Sequence, residues 1–101
     1  IKAYDKSLEF HDGDANLFTD LGVMYRRTGA PKKAIEYFDK AMKMDALHIH
    51  SRLNKGIVQY YDLEDADGAY ASWQEVVNID PDTRLGDGSL LKDAMAKLKQ
   101  D

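Results

Sequence analysis

NLFTDLGVMYRRTGAPKKAIEYFDKAMKMD, residues 16–45, decides the reading of this chain. Phe18, Leu21, Gly22 and Tyr25 fall at helical spacing, Gly29 and Pro31 interrupt them, and Ala34, Phe38 and Ala41 then mark one face of a second helix. The second half of this unit returns further on: Ala69 answers Ala34, Trp73 answers Phe38 and Val76 answers Ala41, each 35 residues later. A helix pair of this period cannot bury its apolar face alone, so it stacks on its neighbours.

Working outward, residues 1–12 align with the second helix of the unit, because Ile1, Tyr4, Ser7 and Leu8 match Ile35, Phe38, Ala41 and Met42. The chain opens at Ile1, halfway through a repeat by this alignment, so an excised piece of a longer protein is expected. Asp12, Gly13 and Asp14 supply a helix stop and a cap. A helix is predicted over 15–28, with Leu17, Phe18, Leu21, Met24 and Tyr25 inward and Gly22 where a partner helix comes close. Another is predicted over 31–44, opened by Pro31, whose missing N–H does no harm there.

The helix predicted over 47–62 admits two registers. Aligning Gly56 with Gly22 turns Arg52, Lys55 and Gln59 inward, which makes poor core. Shifting by one residue buries Leu53, Ile57 and Tyr60 and is preferred, although it leaves Ile57 where a small residue belongs. A one-residue bulge within the helix would reconcile the two. A helix over 67–79 then carries Ala69, Tyr70, Trp73, Val76 and Val77, closed by Asp80 and Pro81. The stretch 82–88 is not a normal repeat start. A last helix over 89–100 has Leu91, Ala94, Met95 and Leu98 on one face, as a capping helix does. The sum is one all-α domain over 1–101 with about six helices: a half-repeat (1–12), full repeats over 15–46 and 47–81, and a cap (89–100).

Composition agrees. With 44% hydrophobic and 32% charged residues the chain has the make-up of an ordinary globular domain. Without cysteine it has no disulfide, thiol nucleophile or cysteine zinc site, and neither cytoplasm nor periplasm is selected. No apolar run approaches the roughly 18–20 residues that span a bilayer. A net charge of −4 speaks against nucleic acid as partner. The charge is uneven: residues 24–43 hold Arg26, Arg27, Lys32, Lys33, Lys40 and Lys43 against Glu36 and Asp39, whereas 62–83 hold Asp62, Glu64, Asp65, Asp67, Glu75, Asp80 and Asp82 and no base. These charges read first as solvated faces; the sharper reading is steering of a charged partner or head-to-tail association of copies.

No catalytic or metal constellation emerges. His48 and His50 diverge by about 200° on a helix and share no metal; with His11 they read as structural. Treated as a calcium loop, the acidic run fails, because Leu63 and Gln74 fall where the first ligand and the bidentate Glu belong. There is no glycine-rich phosphate loop or nucleophile elbow. Neither enzymatic activity nor a cofactor is expected.

The pattern resembles the tetratricopeptide repeat, strongly over 15–45, moderately over 66–81 and weakly over 47–62. The resemblance implies a right-handed α-superhelix, or solenoid, of antiparallel helix pairs whose first helices line a concave groove that binds a protein or peptide. Carried over, that groove is lined by Asn16, Thr19, Val23 and Arg26, then by Asn54, Val58 and Tyr61, or by His50, Leu53 and Ile57 in the other register. Some relatives hold chaperone tails with a Lys, Asn and Arg clamp; Thr19 and Val23 stand where Lys and Asn are needed, so that function is not expected. The ending from Trp73 to Pro81 with its terminal helix resembles small bacterial repeat proteins that assist envelope or cytochrome assembly. The alternative of another class is a self-assembly element in which the basic repeat of one copy meets the acidic repeat of the next.

Overall fold

The computed structural model describes residues 15–100, and it is all-helical there. Five α-helices follow in order: α1 (Ala15–Arg27), α2 (Pro31–Met44), α3 (Ile49–Ile57), α4 (Ala66–Ile79) and α5 (Leu91–Gln100). A π-helical turn, Val58–Asp62, continues α3. The sixth helix expected from the sequence falls in 1–12 and lies outside the described residues, as does the stop at 12–14. None of the described helices is long and apolar enough to cross a membrane.

The helix ends follow from local chemistry. Gly29 takes the left-handed conformation (φ 86°) after α1, and Ala30 N–H donates to the Tyr25 carbonyl at 2.9 Å. Pro31 then opens α2 as the sequence predicts. Helix α3 starts two residues later than expected. Leu47 N–H is held by the Asp45 carboxylate (3.1 Å), and His48 becomes the N-cap, its Nδ1 accepting from Ser51 N–H at 3.2 Å. The start of α5 shifts from Ser89 to Leu91 for a similar reason. Ser89 closes a turn on Asp87, donating to its carboxylate from both N–H (2.9 Å) and Oγ (2.6 Å). The stretch before it, irregular in the sequence, forms an antiparallel bridge between Arg84 and Leu90.

Each helix packs on the next, and α1 also reaches α3. Two clusters of buried side chains sit among the described residues, one around Phe38 and one around Trp73. In the first, Ala34, Phe38 and Val58 gather Val23, Tyr25, Ile35 and Leu63. In the second, Trp73 packs with Ala69, Val76, Leu91 and Met95, and Leu53, Ile57, Tyr60 and Leu85 close around them. Phe38 is fully buried, so its truncation to Ala would cost about 3–5 kcal/mol. The two units are built alike at their crossings. Gly22 faces the ring of Phe38, and Gly56 faces the indole of Trp73, so closely that a Cβ at either glycine would overlap the ring.

That equivalence corrects one point of the preferred register for 47–62, the small position. Gly56, not Ile57, takes the small position, 34 residues after Gly22, whereas the partners Phe38 and Trp73 stand 35 apart. The π turn absorbs the extra residue. Leu63 N–H donates to the Val58 carbonyl (3.1 Å), five residues back, and Asp65 N–H donates to the Gln59 carbonyl (2.7 Å). After the insertion Tyr60, rather than Gln59, turns toward the second core. Leu53, Ile57 and Tyr60, the apolar trio of the preferred register, all pack against the second core, so the bulge reconciles them with Gly56 at the small position. Glu64 ends the element with φ 55°, and Asp65 caps α4 by accepting from Gly68 N–H at 2.9 Å.

The charge asymmetry is partly consumed inside the fold. Arg26 of the basic repeat pairs with Asp62 of the π turn (2.6 Å), and Lys55 of α3 with Asp39 of α2 (2.7 Å). Arg52 joins α3 to α4 through Glu75 (3.1 Å). Lys33 lies over the Tyr25 ring and Lys40 over the Tyr37 ring.

Candidate functional site

Helix α3 and its π turn present one continuous stripe: His50, Leu53, Asn54, Ile57 and Tyr61, at helical spacing with the extra residue between the last two. Three depressions open along it. In the first, about 410 Å³, Asn16, Thr19, Asp20 and Val23 of α1 face His50 and Asn54 of α3. In the second, about 520 Å³, Arg26 and Arg27 meet Tyr61 and Asp62 beside Gly29 and Pro31. The third, about 470 Å³, lies between α3, α4 and α5 and is walled by Leu53, Ile57, Trp73, Leu85, Leu91 and Met95, with Tyr61 and Lys97 among its lining.

Five of the expected groove residues, Asn16, Thr19, Val23, His50 and Asn54, thus come together in one depression, and Arg26 and Tyr61 in the next. Val58 does not belong with them. It is 1% exposed and packs against Phe38, because the π turn begins at it and points it inward between α2 and α3. Of the candidates from the two register alternatives, His50 and Asn54 line the first depression, whereas Leu53, Ile57 and Tyr61 line the third, Leu53 and Ile57 also packing against the second core.

The polar groups differ in how free they are. The Thr19 hydroxyl donates to the Ala15 carbonyl at 2.8 Å, so this buried residue forms a floor and offers a ligand little polarity. Asn16 Oδ1 accepts from His48 Nε2 at 2.8 Å. Asn54 Nδ2 donates to the His50 carbonyl at 2.9 Å, which leaves its own carbonyl oxygen without a donor among the described residues. Arg26, expected to pair with a partner's acid, is already held by Asp62 through Nε (2.6 Å) and Nη2 (3.4 Å). Tyr61 is 61% exposed and touches Tyr60 edge-on at 4.8 Å between centroids.

His48, read from sequence as structural, ties the first depression together. Since Nδ1 accepts the Ser51 N–H, Nε2 carries the proton and donates to Asn16. Burial pushes its pKa below the usual value; nearby Asp45 opposes this, and His50 and Arg52 reinforce it. The acids of the former calcium-loop stretch have other duties: Asp62 holds Arg26 and Asp65 caps α4.

Sequence reading missed the apolar third depression. Its signal was present in Leu91, Ala94, Met95 and Leu98 of α5, read only as a face that seals the stack. The same stripe both seals the second core and lines a cleft, to which Leu85 from the preceding loop adds another wall. No protein-family model matches the chain, and a search of curated proteins finds no match.

Proposed function

We propose that the chain is a protein-interaction module of the tetratricopeptide type, a right-handed superhelix that holds an extended or helical segment of a partner protein along α1 and α3, with no catalytic chemistry of its own. The observation that carries this reading is the α3 stripe. A helix that packs on α2 and α4 on its inner side keeps five side chains of mixed character toward three depressions, next to the matching side chains of α1. The equivalence of Gly22 with Gly56, and of Phe38 with Trp73, supports the repeat assignment. Asn54 offers a free carbonyl oxygen to a peptide N–H, and Tyr61 offers an exposed ring.

Affinity capture from the source organism's lysate, read by mass spectrometry, tests the proposal. The bait is the chain itself, with an Asn54→Ala, Tyr61→Ala double variant as control. Arg26 is left intact because its replacement would also loosen the contact with the π turn. A partner taken by the first bait and lost by the second, at unchanged helicity, supports the groove. Identical catches by both baits would sink it.

Self-assembly through the basic and acidic stretches is the second reading; of the charges that define them, Arg26, Asp62 and Glu75 already pair within the chain, and Lys33 and Lys40 lie over tyrosine rings. Light scattering across a salt titration separates the two. Assembly by charge loosens as salt rises, and a monomer at every salt concentration excludes it.

A further inference from the structure

We propose that the cleft between α3, α4 and α5 takes large apolar side chains of a partner peptide, with an acidic residue beside them that pairs with Lys97. This rests on the reading of the chain as a peptide-binding module and names the chemistry of the segment it would hold.

Three observations carry it. First, the cleft is open although its walls are of core character: Leu53, Ile57, Leu85 and Leu98 are only half-buried, and the floor is Trp73 and Leu91. The recess is lined almost wholly by apolar side chains and has room for apolar groups of a ligand. Second, the cation in its lining is unspent. Lys33, Lys40 and Lys99 lie over tyrosine rings and Lys55 is paired with Asp39. Lys97 is exposed and makes no ion pair with any described residue, Asp93 one turn earlier included. Its side chain belongs to the lining of the same recess, so its ammonium is available to an acid that accompanies apolar groups seated there. Third, the cleft continues the rest of the stripe. Tyr61 lines both it and the neighbouring depression, so a ligand lying along α3 passes from the amides of Asn16 and Asn54 to the apolar end. A peptide has both the backbone for the first and the side chains for the second; a small apolar acid would use only the second.

A library of short random linear peptides, displayed on phage and selected on the intact chain, tests this. Enriched peptides are expected to carry two large apolar residues with Asp or Glu close by. Lys97→Glu should weaken a synthetic copy of such a peptide roughly tenfold, and replacing the peptide's acid with Lys should restore binding to the variant. Ala94→Trp, which fills the cleft, should abolish binding; if that variant does not fold, the surface exchange at Lys97 decides. Peptides that lack an acid, or that ignore Lys97→Glu, overturn the charge pairing. Peptides that tolerate Ala94→Trp but are lost on Asn54→Ala overturn the cleft and leave the groove reading standing. If no peptide is enriched, both fall. Binding of dodecanoate that selected peptides do not displace would assign the cleft to a lipid, and self-association abolished by Ala94→Trp would assign it to a second copy; either overturns the proposal.

Discussion

Gly56 lies against the indole of Trp73 with no room between them for a side chain. The indole is also anchored at this same edge, since Nε1 donates to the Leu53 carbonyl at 3.1 Å, and Trp73 is only 4% exposed. Gly56→Ala therefore forces a flat, anchored ring to move. Overpacking of this kind costs about 1–3 kcal/mol. The intrinsic helix preference of Ala over Gly returns about 1 kcal/mol. A net loss of stability is expected, read as a lowered thermal midpoint with a changed Trp73 emission. Gly86→Ala is the control: nothing lies within 4 Å of a Cβ there, so the midpoint should hold or rise slightly as the unfolded chain loses freedom.

Glu64 follows the π turn with φ 55°, a conformation that disfavours any residue with a Cβ. Its side chain is exposed and makes no ion pair among the described residues. Glu64→Gly removes the backbone strain while adding freedom to the unfolded chain, and the first effect is the larger. The expected gain is about 0.5–1 kcal/mol, a rise of a few degrees in midpoint for a domain of this size. A fall would mean that Glu64 contributes something its contacts do not show.

These two sites also mark what the sequence makes legible. The first helix pair is plain from residues 16–45 because each of its signals, Gly22, Gly29, Pro31 and Phe38, agrees with the next. The second is blurred because one inserted residue sets Gly56 and Tyr60 in different registers, and no periodicity of a single phase can describe both sides of a π turn. Val58 was misplaced for that reason. The polar half of the candidate groove is visible in sequence because α1 and α3 carry it at regular spacing. The apolar cleft is not, since it depends on where Leu85 and α5 come to rest after an irregular loop, a tertiary outcome that local pattern does not encode.

Arg26 and Asp62 link the first repeat to the bulge of the second. Both side chains are partly exposed, at 38% and 27%, so solvent weakens the pair. Its two-pronged geometry argues for the upper part of the range for such pairs. A double-mutant cycle with Arg26→Ala and Asp62→Ala should give a coupling of about 0.5–1 kcal/mol. The coupling should shrink toward zero near 1 M salt, where the screening length is about 3 Å. A coupling that ignores salt would point to packing of the Arg26 stem rather than charge.

His48 couples protonation to the start of α3. Its Nδ1 is the acceptor that caps the Ser51 N–H, and a proton placed there would turn an acceptor into a donor facing a donor. Burial holds its pKa below the usual 6.5, with Asp45 opposing and with His50 and Arg52 reinforcing the shift. The unfolded chain then binds more protons than the folded one between these two values, so stability rises with pH. The contribution is complete above pH 6.5, declines as pH falls below 6.5, and is lost once pH passes the folded value. His48→Asn keeps a capping oxygen that does not titrate in this range. Urea midpoints measured at a series of pH values from about 5 to 7.5 should rise more steeply in the parent than in the variant. His11 and His50 are common to both proteins and cancel in the comparison. Parallel curves would show that the cap survives protonation, and that the acid sensitivity of the fold arises elsewhere.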